Sequence, residues 1–122
     1  MDHKKFHLIL NQLTYCKKTE LAAFGAPLVI EVTEQEERWK LSTCLYSYDH
    51  EIPSTIHQCI SPSGAFQWQE KGAYLKLDSE ERCLYLIQEI DASKKYLPFK
   101  SLVYNFVQVA DEWKEMLREM AD

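Results

Sequence analysis

Apolar positions recur every three to four residues at the two ends of the chain and every second residue through its middle. Phe6, Ile9, Leu10, Leu13 and Cys16 or Lys17 predict an amphipathic helix from about His3 to Lys17, with Leu8 off the stripe on its exposed side. At the other end Leu102, Phe106, Val109, Ala110, Trp113, Leu117 and Met120 share one face of a helix running from Pro98 to Met120. Pro98 suits the first turn, where its missing N–H costs nothing. A helix of this length is marginal alone in water. It needs a layer to lie on, and burial of its large side chains at roughly 1.5–3 kcal/mol each would hold it there.

Between the helices the period falls to two. Leu28, Ile30 and Val32 share a face of a strand over Leu28–Thr33, and Trp39, Leu41, Thr43 and Leu45 alternate with Lys40, Ser42, Cys44 and Tyr46 over Arg38–Tyr48. Glu34–Glu37 is the charged turn that makes them a hairpin. A second hairpin joins Ala73–Leu77, with Ala73, Leu75 and Leu77 inward, to Cys83–Ile90, with Leu84, Leu86 and Ile90 inward, through a turn at Asp78–Arg82. Thr19–Gly25 reads either as an extra helical turn, with Thr19 as cap and Gly25 as terminator, or as a packed loop. Asp49–Ser54 is a connection. Ser61-Pro62 resembles a cap followed by a first-turn proline, so a short helix is predicted over Pro62–Gln69, carrying Ala65, Phe66 and Trp68. The order α-β-β-α-β-β-α predicts an α+β fold: an antiparallel sheet from two hairpins, with the N- and C-terminal helices packed on it and a short middle helix.

Length, 122 residues, allows one domain spanning 1–122. The net charge of −5 argues against nucleic acid, because phosphate binding wants a basic face and the lysine pairs at 4–5, 17–18 and 94–95 are isolated. Cys16, Cys44, Cys59 and Cys83 include no Cys-x-x-Cys, and Met1–Lys5 opens straight into the first helix without a signal sequence. The expectation is four reduced, mostly buried thiols in a cytoplasmic protein. No apolar run approaches the ~20 residues of a membrane span, so no membrane insertion is expected.

Candidate chemistry is sparse. His3 and His7 have helical metal-ligand spacing, but Lys4 stands where a His-Glu-x-x-His motif has its Glu, and His50 and His57 read as polar loop residues. No cysteine lies in a Gly-flanked turn, there is no Gly-rich phosphate loop, and the carboxylates at 34–37, 78–81 and 111–119 fall in turns and on a solvated helix face. Neither an enzyme nor a cofactor is expected. The three tryptophans and seven tyrosines point elsewhere: Tyr46, Tyr48, Tyr74 and Tyr85 fall on strand faces opposite the expected core, where an aromatic sheet face suits contact with protein.

From Ala73 onward the chain has a specific shape. The strand Leu75-Lys76-Leu77-Asp78, an acidic turn and the strand Leu84-Tyr85-Leu86 lead to Leu102-x-x-x-Phe106-Val107-x-x-Ala110-x-x-Trp113-x-x-x-Leu117. This resembles the C-terminal half of the class I type III secretion chaperones, the CesT-like group of small acidic proteins, and element order agrees over most of the chain. YbjN-like domains share the architecture and are the alternative, as regulatory or structural domains without a secretion client. The resemblance implies a bacterial cytoplasmic homodimer that binds the N-terminal segment of a secreted effector protein, partly unfolded for export. It implies effector contacts at Phe6, Leu8, Leu10, Val29 and Tyr46, and a dimer interface at Phe66, Trp68 and Tyr74. Pro62 and Gly64 depart from the longer, Leu-rich middle helix usual in that family.

Overall fold

The computed structural model describes residues 2–21, 27–33, 37–58 and 73–121, together with the backbone of 65–70. Helix α1 (His3–Cys16) starts where Asp2 accepts the Lys5 N–H at 2.7 Å, a bond that also holds the Asp2 carboxyl below the usual carboxylate range. It ends at Lys17, whose left-handed backbone (φ 61°) turns the chain into strand β1 (Lys18–Leu21). Strands β2 (Leu28–Val32) and β3 (Arg38–Ser47) follow, then the single-turn helix α2 (Ser54–His57). Strands β4 (Ala65–Glu70), β5 (Ala73–Asp78) and β6 (Cys83–Asp91) precede helix α3 (Tyr96–Ala121).

Among the described residues the six strands form one antiparallel sheet in the order β1-β2-β3-β6-β5-β4. The two expected hairpins are present. They are joined through β3 and β6, the longest strands, which pair from Arg38–Asp91 to Ser47–Cys83 at the centre of the sheet. The hairpin turn of β5 and β6 is held by Asp78, whose carboxylate accepts the N–H groups of Glu80 and Glu81 at 3.0 and 3.1 Å.

One face of the sheet, from Leu28 and Ile30 through Trp39, Leu41 and Thr43 to Leu86, Leu84, Leu75 and Ala73, is buried beneath α1 and α3. Helix α1 contributes Phe6, Ile9 and Leu13, and α3 contributes Phe99, Val103, Phe106, Ala110 and Leu117. The starts of the two helices meet in an aromatic cluster. Phe6 lies 5.2 Å from Phe99 and 5.5 Å from Tyr96 between ring centroids, Trp39 lies 5.8 Å from Phe99, and His3 stacks on Tyr96 at 3.9 Å. This contact rotates the buried stripe of α3 from the expected face. Phe99 and Val103 point to the core, and Leu102, Val109 and Trp113 are half-buried along its flank.

The α+β class and its helices agree with the pattern of the sequence, while two short elements differ. Lys18–Leu21 is a strand rather than a helical turn or a loop. Thr19 and Leu21 alternate inward, the Thr19 hydroxyl donates to the Gln12 side-chain oxygen, and pairing with β2 supplies the backbone bonds a lone turn would lack. Gly25 lies outside the described residues. The short middle helix sits at Ser54–His57, earlier than expected, held by fully buried Ile56 and by the Thr55 hydroxyl bonded to the Met120 carbonyl of α3. Within the expected helix over Pro62–Gln69, the described part from Ala65 onward is strand β4. Phe66 and Trp68 alternate with glutamines, a strand period, and β5 offers an edge to pair with; Pro62 and Gly64 lie outside the described residues.

Candidate protein-binding surface

Register sorts the second sheet face, which neither long helix covers, into rungs that cross the strands. The first alternates in charge: Lys18 opposite Glu31, Glu31 opposite Lys40, and Lys40 opposite Glu89. The next is largely apolar: Val29 opposite Ser42, Ser42 opposite Ile87, and Ile87 opposite Tyr74. The third places Cys44, Tyr85 and Lys76 in line. Val29, Ile87, Tyr85 and the three lysines line a depression of about 600 Å³ over this face.

Two tyrosines of this face hold their protons more tightly than usual. Tyr85 donates to the Glu81 carboxylate, which raises its pKa first, with burial adding to it; Tyr74 is raised by burial and then by the Glu89 carboxylate. Because the folded state raises the Tyr85 pKa, the contact stabilises the fold fully below the ordinary tyrosine value of about 10, and its contribution is lost as pH climbs through the raised value. In Glu81→Gln the tyrosinate absorbance of Tyr85 should appear at lower pH than in the native chain, while the remaining tyrosines keep their order. An unchanged titration would mean that the carboxylate does not hold this phenol.

A second concavity, about 700 Å³, opens on the helix side between the flank of α3 and strands β5 and β6. Leu86, Ile90, Leu102, Phe106 and Val109 give it apolar walls, and Arg38, Gln88, Asn105 and Glu112 its polar rim. Arg38 pairs with Asp91 at 3.0 Å at its mouth. Exposed apolar side chains cluster by helical period: Leu8 and Tyr15 seven apart on α1, Leu97 and Tyr104 seven apart on α3, and Met116 further along α3.

The residues expected to contact a partner therefore do not share one surface. Leu8 is 57% exposed on the solvent side of α1, whereas Val29 lies on the opposite side of the sheet. Phe6 is a core residue at 2% exposure, because α1 and α3 converge on it. Leu10 is half-buried against the core. Tyr46 is displaced to the helix side: a β-bulge at Leu45 makes it pair with Leu84 instead of following Cys44 onto the outer face. Tyr74 is half-buried on the outer face beside Ile87, and the side chains of Phe66 and Trp68 lie outside the described residues. Ile87, on the same outer face, was not among the expected contacts. Its signal was the run Leu84–Ile87, which puts apolar residues on both faces of a central strand.

The thiols are less buried than expected: Cys16 is exposed, Cys44 and Cys83 are half-buried, and Cys59 lies outside the described residues. Among the described residues no three His, Cys, Asp or Glu side chains gather in a metal-binding cluster. No helix among them is long and apolar enough to cross a membrane.

No family model and no curated protein matches the sequence. Solved structures do match the fold. A chain of the HopA1–SchA chaperone–effector complex superposes with a TM-score of 0.58 at 18% identity, over 91% of this chain and 88% of that one. A chain of the ExsC–ExsE complex gives 0.58 at 14% identity, over 96% and 97%. A chain of the heterodimeric ExoU–SpcU complex from the type III secretion system of Pseudomonas aeruginosa gives 0.53 at 19%, over 87% and 84%. Over nearly its whole length, then, this chain has the fold found in chaperone–effector and type III secretion complexes, the architecture that its closing helix and the strands before it resemble.

Proposed function

We infer that this chain is a non-enzymatic chaperone of type III secretion, which binds the N-terminal segment of a secreted bacterial effector in the cytoplasm and keeps it soluble and partly unfolded for export. The observation that carries this reading is the fold shared with a chain of the HopA1–SchA chaperone–effector complex across 91% of this chain and 88% of that one. The surface supports it physically. Strands β1 and β4 end the sheet among the described residues, so a partner chain can add main-chain hydrogen bonds at an edge and place alternate side chains in adjoining grooves. A net charge of −5 keeps such a surface soluble. The working form is a homodimer, with Phe66, Trp68 and Tyr74 as interface candidates.

Co-expression with the products of neighbouring genes, followed by sizing with light scattering, tests this reading. The expected result is a dimer that retains one such product, and loses it when that product's N-terminal segment is deleted. A strict monomer that retains none of them would sink the proposal.

A further inference from the structure

Strand β3 carries Cys44 opposite Tyr85 of β6, and Cys83 stands two residues before Tyr85, so both thiols project from the same outer face. Diagonal neighbours in an ordinary ladder are separated by about 7–8 Å, too far for direct contact between short side chains. Here the bulge at Leu45 breaks the ladder between them: Cys44 pairs with Tyr85, Tyr46 with Leu84 and Ser47 with Cys83. Cys83 is near enough to Cys44 to raise the pKa of its thiol, and the Cys83 thiol lies 3.5 Å from the Glu81 carbonyl. Both cysteines are half-buried, whereas Cys16 ends α1 in the layer on the other side of the sheet.

We propose that Cys44 and Cys83 are a paired oxidation site, closed by a peroxide into an intramolecular disulfide that ties β3 to β6 across the bulge. The chemistry balances with the peroxide as oxidant. Burial, and then the neighbouring Cys83, push the Cys44 thiol up to about 12, so Cys44 holds its proton at neutral pH and takes the second, resolving step. The Cys83 thiolate attacks one peroxide oxygen, the O–O bond breaks, and the departing oxygen leaves as water, giving a sulfenic acid at Cys83. Cys44 then loses its proton and attacks the Cys83 sulfur, and the sulfenic oxygen leaves as the second water. Two thiols are oxidised to one disulfide and one peroxide is reduced to two waters. A dithiol reductant reverses the bond.

Hydrogen peroxide, applied to the purified full-length chain, is the probe. After the remaining thiols are alkylated, digestion with trypsin and a Glu-specific protease separates Cys44 from Cys59 at Glu51, and mass spectrometry reads the linkage. The expected product is a single chain, not a disulfide-linked pair of chains, that has lost two hydrogens, with the Cys44 peptide joined to the Cys83 peptide in most molecules. In Cys44→Ser, dimedone should label a persistent sulfenic acid at Cys83, and in Cys83→Ser the label at Cys44 should fall to background. Linkage through Cys16 or Cys59 in place of this pair, or Cys44 and Cys83 alkylated separately after oxidation, would overturn the assignment, and the native-chain mapping decides it even where a variant folds poorly.

Discussion

Phe99→Ala should destabilise the chain by about 3–5 kcal/mol, the range for removing a fully buried aromatic ring and leaving a cavity. Phe99 is wholly buried at the place where three elements meet, with Phe6 of α1 at 5.2 Å and Trp39 of β3 at 5.8 Å. Neither long helix is stable alone, so the ring that joins both to the sheet acts on all three at once. A domain of this size has a stability on the order of 5–15 kcal/mol, and the loss would consume a large share of it. Urea unfolding followed by tryptophan fluorescence measures the effect, with Phe99→Leu as the volume-sparing control expected to cost less than about 1.5 kcal/mol. A change below about 1 kcal/mol for the alanine variant would mean that the site collapses around the loss, and that the aromatic cluster does not hold the helices on the sheet.

The same cluster explains why some of the candidate surface was legible in the sequence and some was not. Periodicity identified both long helices and the alternation from Trp39 to Leu45, because many residues there repeat one choice. It could not say which residues of a wide apolar stripe face the sheet. The effector contact at Phe6 came from the resemblance, whereas its contacts with Tyr96 and Phe99 put it in the core stripe that the period of α1 already marks. Tyr46 failed for a different reason. One extra residue in β3 reverses the alternation beyond it, and nothing between Cys44 and Tyr46 announces a bulge in an otherwise regular strand. Strand β1 and helix α2 span four residues each, too few to establish a period, and both exist because tertiary partners complete them. The Ser61-Pro62 signal lies before the segment, and in Ala65–Glu70 pairing with the adjacent strand β5, itself held by β6, prevails. The exposure of Leu8 and the outer-face position of Tyr74 agree with the pattern, since each lies in a regular stretch of its element.

Leu8→Glu should weaken retention of the proposed effector by roughly tenfold to a hundredfold, while leaving the unfolding midpoint nearly unchanged. Leu8 is 57% exposed and Tyr15, seven residues on, is 83% exposed, so together they give the solvent side of α1 an apolar stripe. Burying a leucine against a partner contributes about 1.5–3 kcal/mol, and each 1.4 kcal/mol is a factor of ten in affinity. Glutamate has nearly the helix propensity of leucine, and at position 8 it would stand one turn from Lys4, an attractive spacing, so α1 itself should not suffer. Val29→Glu is the comparison, because Val29 lies across the sheet in the same rung as Ile87 and reports on the outer face alone. Pull-down of the co-expressed partner by each variant, with thermal unfolding measured in parallel, separates the two surfaces. Loss of the partner in Leu8→Glu at an unchanged midpoint assigns the contact to α1. Full retention there, with loss only in Val29→Glu, would move the contact to the outer sheet face and remove α1 from the proposed binding surface.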